Sequence, residues 1–105
     1  MQAVSVNIKG VPYQFSATVW QHSPNGGWWF VSLPKPISTE IRNLFKKEEE
    51  GWGRLKVTAL IGKTEWNTAV WFDSKANTYL LPLKAEIRKK ESILINKEIS
   101  AKIWV

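Results

Sequence analysis

Apolar and polar residues alternate in several short stretches of the chain, and this alternation limits the fold more than any other feature. The clearest stretch is 54–61, in which one face carries Leu55, Val57, Ala59 and Ile61. A period of two is typical of a strand, because successive side chains of a strand point to opposite sides of the sheet. The same alternation recurs in Val4–Ile8, Val11–Val19, Trp66–Phe72 and Ile99–Val105. The pattern therefore predicts a mainly β protein.

A helix is predicted after the short apolar strand Trp28–Leu33 and the prolines that end it. Ser38 suits an N-cap, because its side chain can accept a hydrogen bond from a backbone N–H of the first turn. The helical spacing then places three apolar residues on one stripe: Ile41, Leu44 and Phe45. This stripe predicts that one side of the helix packs on the sheet.

The same order of short motifs occurs twice in the chain. Residues 17–42 and residues 68–88 each contain Val-Trp, Ser, Leu-Pro and Glu-Ile-Arg, and each copy runs into an alternating strand. Each half therefore predicts strand, strand, helix, strand, and one half alone cannot bury both its sheet face and its helix stripe. We predict a closed six-stranded β-barrel built from two pseudo-symmetric halves, about 15–62 and about 63–105, with two short helices.

Length and composition bound the class of protein. The 105 residues, 44% of them hydrophobic, suit a single domain spanning 1–105, with Val4–Ile8 as an added edge segment. The absence of cysteine excludes disulfides and thiolate catalysis. No apolar run approaches the ~20 residues of a membrane helix, and the N-terminus lacks the pattern of a secretory signal. We therefore expect a cytoplasmic protein without a membrane partner.

Residues suited to catalysis or metal binding are scarce. The one histidine, His22, lies in a predicted turn, where a solvated side chain is the ordinary outcome. A Ser/His/Asp triad would need Asp73 and either Ser74 or Ser23 beside it, and no segment has the form of a nucleophile elbow. The run Glu48–Glu50 indicates a solvated surface rather than a metal site. We expect no catalytic residue, no metal and no cofactor, and a binding protein rather than an enzyme.

The positive charge is uneven along the chain. The net charge is +6, and residues 1–50 carry five cations and four anions, whereas residues 51–105 carry ten cations and five anions. A basic half can attract polyanions, although lysine-rich surfaces also serve solubility. Many of these cations fall in a second predicted helix, which follows the break at Leu81-Pro82 and has a buried stripe of Leu83, Ile87 and Leu94.

This second helix carries the best candidate site. Lys84 and Arg88 are at i and i+4 and share one face. Like charges so placed repel each other by a few tenths of a kcal/mol, and a bound anion would reverse that effect. The alternative is that Glu91 neutralises Arg88 within the helix, and the sequence leaves both open. Arg42 is the counterpart of Arg88 in the first copy of the repeat.

Seven tryptophans are present, several times the usual frequency. Trp66 lies on the core-like face of its strand, so we expect it to pack inside. Trp52 lies between two glycines and beside Arg54, which makes it a candidate contact point on a loop. We predict outward positions for Trp20, Trp71 and Trp104. At these positions the side chains are either covered by other elements or free to stack on bases or form a protein interface.

Five segments together resemble a known family. They are, in order, FSATVW, WWFVSLP, EIRNLF, GWGRLKVTALIGKTEW and YLLPLKAEIRKKESI. The combination is similar to a small prokaryotic domain-of-unknown-function family that is sometimes joined to YdeI/OmpD-associated (bacteriocin-protection) domains. The resemblance covers 15–105; it implies a closed six-stranded barrel with short helices and no known activity. Relatives usually carry Gly-Asp before the last strand, where this chain has Asn96-Lys97, and Asn also tolerates the left-handed turn conformation.

Three functional hypotheses follow from these patterns. The first is a non-enzymatic binding barrel that recognises an anionic partner such as nucleic acid, and the second is a protein-interaction or homodimerisation module. The third is a small-ligand protein or enzyme with a pocket at one barrel end. The candidate ligand-binding residues are Lys84, Arg88, Arg42, Trp52, Arg54 and Trp66.

Overall fold

Seven antiparallel strands and two helices make up the fold of the described residues. The computed structural model describes residues 10–23 and 26–105. The strands are β1 Pro12–Thr18, β2 Trp20–Gln21, β3 Trp29–Ser32, β4 Arg54–Ile61, β5 Thr64–Asp73, β6 Thr78–Pro82 and β7 Glu98–Trp104. The helices are α1 Lys35–Phe45 and α2 Ala85–Lys90, and two 3₁₀ turns, Lys46–Glu48 and Gly51–Gly53, join α1 to β4.

The strands form one curled sheet in the order β1-β7-β4-β5-β6-β3-β2. The two strands at the ends of this order, β1 and β2, are consecutive in the chain and are separated only by Val19. The sheet therefore curls into a half-barrel, and its inner side holds the core. The mainly β class with two helices is confirmed, whereas the predicted closed barrel of six strands is wrong.

Val19 is the reason for the additional strand. Its backbone N–H donates to the carbonyl oxygen of Lys97 at 2.9 Å, and its carbonyl oxygen accepts from the N–H of Asn96 at 2.8 Å. Both backbone groups are therefore bonded to the loop before β7, and the ladder is interrupted between β1 and β2. Asn96 has a φ of +67°, so it does adopt the left-handed turn conformation expected for it.

Alternating side chains of the strands supply the core. In β4 the predicted inward residues are all buried, with exposed fractions of 5% or less: Leu55, Val57, Ala59 and Ile61. Tyr79 of β6 is the largest of the fully buried side chains among the described residues. The predicted edge segment Val4–Ile8 lies outside the described residues.

Helix α1 begins before Ser38, the residue predicted to cap it. The helix starts at Lys35, with a proline at its N-cap position and another in its first turn, where a missing N–H is tolerated. Ser38 is buried: its Oγ accepts from the N–H of Tyr79 at 3.0 Å and donates to the carbonyl oxygen of Leu33 at 3.3 Å. Ser38 therefore ties α1 to β6 and does not cap the helix.

Two leucines predicted to be buried lie in solvent instead. Leu44 of α1 is 60% exposed, and Leu94 is 58% exposed. Helix α2 ends at Lys90, so a helical period cannot be extended to residue 94, and the buried side chain in this segment is that of Ile93. Among the described residues no helix has the length and apolar character needed to cross a bilayer.

The two Leu-Pro pairs do not lie at equivalent positions. Pro34 precedes α1 directly, whereas Pro82 is the last residue of β6. The N–H of Leu33 donates to the carbonyl oxygen of Tyr79 in β6, and the N–H of Leu83 donates to that of Trp29 in β3. These contacts relate Leu33 to Leu83, whereas the predicted repeat relates Leu33 to Leu81.

Candidate functional site

Strand β5 is longer than its neighbour β6, and this difference opens a cleft. Only the last part of β5, Trp71–Asp73, pairs with β6, whereas the part Thr64–Trp71 pairs with β4. The first part of β5 therefore has a neighbouring strand on one side only. Helix α2 and the residues just before it face the open side.

Helix α2 is held at both ends. Before the helix, the N–H of Leu83 donates to the carbonyl oxygen of Trp29 in β3 at 2.8 Å. After the helix, Oε2 of Glu91 accepts from the hydroxyl of Thr64 at 2.6 Å and from the N–H of Lys63 at 3.3 Å. Although α2 is only six residues long, its position is fixed between β3 and the tip of the β4–β5 hairpin.

The space between α2, β5 and β3, which we call the α2 cleft, has a volume of about 440 Å³. Its walls are aromatic, with two cations on the α2 side: the principal lining residues are Trp28, Trp29, Trp66, Lys84 and Arg88. This volume falls within the range of about 300–1,000 Å³ that is typical of small-molecule sites. The cleft therefore combines apolar walls with a localised positive charge.

Arg88 is the residue that gives the α2 cleft its chemical character. Its guanidinium carbon lies 4.2 Å from the centre of the Trp29 ring, a cation–π contact that fixes the orientation of the side chain. Its Nε is buried and has no hydrogen-bond partner among the described residues. The alternative that Glu91 neutralises Arg88 is wrong, because the Glu91 carboxylate is bonded to Thr64 and Lys63 instead. Within the described part of the chain, Arg88 is thus a positioned cation without a carboxylate partner.

Lys84 lies at the outer edge of the same cleft. Its Nζ is 3.8 Å from Oε1 of Glu86, and the other carboxylate oxygen of Glu86 is 3.4 Å from Nζ of Lys90. All three side chains are more than half exposed, so these pairs are weak and readily exchanged. Lys84 can therefore turn toward an anion in the α2 cleft.

Trp66 joins the core to the cleft. It is half-buried, packs against the core cluster and also lines the α2 cleft. Its expected packing role is therefore only part of its environment. Three of the six predicted ligand-binding residues, Trp66, Lys84 and Arg88, meet in one cleft.

Arg42 lies elsewhere and is already neutralised. It lines a smaller cleft of about 280 Å³ beside α1, where its guanidinium carbon is 3.7 Å from the centre of the Phe72 ring. Its Nε is 3.7 Å from Oε2 of Glu49. Arg42 and Arg88, the predicted counterparts, therefore line different clefts and contact different partners.

Glu49 corrects the interpretation of the acidic run. Its side chain is only 9% exposed, and it accepts a hydrogen bond from the hydroxyl of Tyr79 as well as pairing with Arg42. Burial, followed by the hydrogen bond to Glu49, raises the pKa of Tyr79 above its usual value. The run Glu48–Glu50 is therefore not uniformly solvated, because its middle residue is part of a buried polar network.

Arg54 is also paired within the chain. Its Nη1 donates to Oε1 of Glu50 at 2.7 Å, and its guanidinium carbon lies 5.9 Å from the centre of the Trp71 ring. Trp52, two residues earlier, is 91% exposed and has a φ of +68°. Trp52 is thus an exposed loop residue as predicted, but neither it nor Arg54 is among the residues lining the α2 cleft.

The outward tryptophans are half-covered. Trp20 donates its Nε1–H to Oγ of Ser32 at 2.9 Å, and its ring centre is 5.1 Å from that of Phe30. Trp71 lies near Arg54, and Lys102 places its Nζ 5.1 Å from the centre of the Trp104 ring. Neighbouring side chains on the sheet surface provide these contacts.

The residues considered for a hydrolytic triad do not assemble one. His22 and Asp73 line the same shallow cleft, but Ser23 and Ser74 are not among its lining residues. Oδ1 of Asp73 accepts from the N–H groups of Lys75 and Ala76, so this carboxylate is used to close the turn after β5. The described residues also contain no group of three side chains that could hold a metal ion.

Two important residues were missed by the sequence interpretation. Trp28 and Trp29 were assigned to a strand without a functional role, yet both line the α2 cleft, and Trp29 supports Arg88. An adjacent pair of tryptophans at the start of a strand could have indicated a site, because alternation places Trp29 inward and Trp28 outward. The contact between Trp29 and Arg88 could not have been predicted, because the two residues are far apart in the chain.

The fold and the site define a small curled β domain with an aromatic, cation-bearing cleft. The chain belongs to the DUF1905 family, a domain of unknown function, whose sequence profile matches residues 15–103. The resemblance of the five segments to a domain-of-unknown-function family is therefore confirmed, whereas the association with YdeI/OmpD-associated domains stays a prediction. No curated protein matches the chain.

Proposed function

We propose that this protein is a binding protein that holds an anionic group of its ligand at Arg88, with Lys84 assisting. The apolar or aromatic part of the ligand lies against the tryptophan walls of the α2 cleft. The observation that carries the proposal is the state of Arg88, which is oriented by Trp29, partly buried and not paired with a carboxylate of any described residue.

Electrostatics favours an anion at this position. A guanidinium that loses water without gaining a partner is destabilised, and a charge-assisted hydrogen bond from a carboxylate or phosphate offsets that loss. Arg42 gains such a partner from Glu49 inside the protein. Arg88 has no equivalent partner in residues 10–23 and 26–105, so an external anion is its natural partner.

The distribution of positive charge limits how the anionic partner is held. Arg42 and Arg54 are each paired with a glutamate, so they contribute little free charge to a continuous basic surface. Arg88, and Lys84 with its exposed pair to Glu86, place positive charge beside the aromatic walls of the α2 cleft. This arrangement joins the hypothesis of an anionic partner to that of a ligand pocket at one end of the sheet.

Calorimetric titration with phenyl phosphate, in low salt, tests the proposal. Losing the charge-assisted hydrogen bond of the guanidinium removes about 1.5–3 kcal/mol, so Arg88→Gln is expected to weaken binding about 10- to 150-fold. Lys84→Ala is expected to weaken it by a smaller factor, because Lys84 is exposed and mobile.

Lys89→Ala provides the matched control, because Lys89 is an exposed cation on the same helix that is not among the residues lining the α2 cleft. It should bind phenyl phosphate as the wild type does. Circular dichroism of each variant verifies the fold. Equal affinities for the wild type and a folded Arg88→Gln variant would overturn the proposal.

A further inference from the structure

Trp28 separates the α2 cleft from a second cleft on the outer face of the sheet. This second cleft, which we call the aromatic cleft, has a volume of about 400 Å³. It is lined by Trp20, His22, Trp28, Phe30, Asp73 and Leu80. Because Trp28 lines both clefts, a ligand that extends past this side chain can occupy the two together.

The aromatic cleft presents a supported stacking surface. Trp28 is 68% exposed. The centre of its ring lies 6.2 Å from the centre of the Phe30 ring, and the angle between the two ring planes is 17°. Phe30 in turn contacts Trp20, whose indole N–H is bonded to Ser32. The rings of Phe30 and Trp20 are therefore held in place, while one large face of the Trp28 ring remains open to solvent. Such an exposed aromatic surface is typical of a binding site.

The two clefts differ in charge. Lys84 and Arg88 line the α2 cleft, whereas the titratable residues lining the aromatic cleft are His22 and Asp73. A carboxylate repels phosphate, but its oxygens accept hydrogen bonds from amino and imino N–H groups. The pair of clefts is therefore suited to a ligand in which an anionic group and a planar, N–H-bearing ring are neighbours.

We infer that the ligand is a single-stranded nucleic acid, with one phosphate at Arg88 and Lys84 and an adjacent base stacked on Trp28 in the aromatic cleft. The inference rests on the proposed function and adds the ligand class to it. A single strand alternates planar bases with anionic linkages and leaves the base faces free to stack on aromatic side chains. A duplex does not, because its bases are already paired and stacked.

Calorimetric titration with a short 5′-phosphorylated oligothymidylate and, separately, with inorganic phosphate tests the inference. Trp28→Ala is expected to weaken oligonucleotide binding about 5- to 150-fold, the range measured for loss of one stacked base. The affinity for inorganic phosphate, which has no base to stack on Trp28, should fall far less than that for the oligonucleotide. Trp52→Ala is the matched control, because Trp52 is also an exposed tryptophan and is not among the residues lining either cleft.

Salt dependence supplies a second readout. Each phosphate neutralised on a single strand contributes about −0.7 to the slope of log K against log salt concentration. Arg88→Gln should therefore make the slope for the oligonucleotide shallower by about 0.7, whereas Trp28→Ala should leave the slope unchanged.

The possible results separate the two proposals. Phosphate binding that depends on Arg88, together with oligonucleotide binding that is insensitive to Trp28→Ala, overturns the nucleic-acid inference and leaves the proposed function intact. Equal affinity for the single strand and for a duplex of the same length also overturns the inference. If neither phenyl phosphate nor inorganic phosphate binds the wild type, both proposals fail.

Discussion

Two of the three arginines beside aromatic rings, Arg42 and Arg88, differ in whether a carboxylate is bonded to them. Arg42 contacts Phe72 and Glu49, and its charge is balanced within the protein. Arg88 contacts Trp29, but the carboxylate of Glu91, three residues later, is bonded to Thr64. The same residue type is therefore paired with a carboxylate beside α1 and differs beside α2, where we propose that it binds a ligand.

The two tyrosines predict how stability depends on pH. Burial and a hydrogen bond to Glu40 raise the pKa of Tyr13 to about 12, and burial and Glu49 raise that of Tyr79. The neutral phenols are thus favoured by the folded state, and their full contribution is present below the unfolded pKa of about 10. We expect the free energy of unfolding to fall as the pH rises above about 10.

Urea denaturation at a series of alkaline pH values measures this effect. A Tyr13→Phe, Tyr79→Phe double variant should lose less stability between about pH 9 and about pH 11 than the wild type, because it has no phenol to ionise. Lysine titration contributes equally to both proteins and cancels in the comparison. Parallel pH profiles for the two proteins would contradict the prediction.

At the scale of the elements, α2 and the β4–β5 hairpin are coupled through one carboxylate. Glu91 accepts two hydrogen bonds from the hairpin tip, and Gly62, with a φ of +59°, lies beside it. A Cβ on Gly62 would be 1.9 Å from Oε1 of Glu91, so this turn needs glycine both for its backbone conformation and for its contact with the carboxylate.

Loss of this contact should loosen α2 selectively. Glu91→Gln is expected to destabilise the protein by about 1 kcal/mol, because a neutral amide accepts more weakly than a carboxylate. Amide hydrogen exchange should become faster in α2, while β4 keeps its protection. Glu86→Gln is the control, since Glu86 forms only exposed pairs on the same helix. Unchanged exchange in α2 of the Glu91→Gln variant would show that the tether is not needed.

The sequence predicted local elements better than contacts between them. The bounds of β4 and its inward face follow from alternation alone, and both are as predicted. The start of α1 was wrong because Ser38 is a suitable cap in isolation, yet its hydroxyl is used by Tyr79 from β6. A hydrogen bond between residues so far apart in the chain leaves no local pattern.

The candidate site divides in the same way. The i, i+4 spacing identified Lys84 and Arg88, and both line the α2 cleft. Arg88 is oriented by Trp29 of β3, and Glu91 is bonded to Thr64 of β5, so both contacts come from other elements. Charge patterning thus found the cations, whereas their availability depends on tertiary contacts.

For the whole molecule, the loop before β7 determines how the sheet curls. Asn96 bonds to Val19 between the first two strands while its own backbone is left-handed. Asn96→Gly should stabilise the protein by a few tenths of a kcal/mol or more, and Asn96→Ala should destabilise it by about 1 kcal/mol, because a Cβ disfavours this conformation.

Thermal and urea denaturation of these two variants give the measurement. Lys97→Ala, at the next position, is a suitable reference because Lys97 is exposed and contributes its backbone carbonyl to Val19. If Asn96→Ala were as stable as Asn96→Gly, the left-handed turn would not contribute to the curled sheet as argued.

The tryptophans that wall the α2 cleft also have an optical consequence. Three of the seven indoles in the chain, Trp28, Trp29 and Trp66, line one cavity. Any molecule that enters it changes the polarity around nearly half of the intrinsic fluorophores, and displacement of the Arg88 guanidinium from Trp29 would alter quenching as well. Emission from the unlabelled protein can therefore report occupancy directly, so that libraries of anions can be screened without a dye or an immobilised ligand.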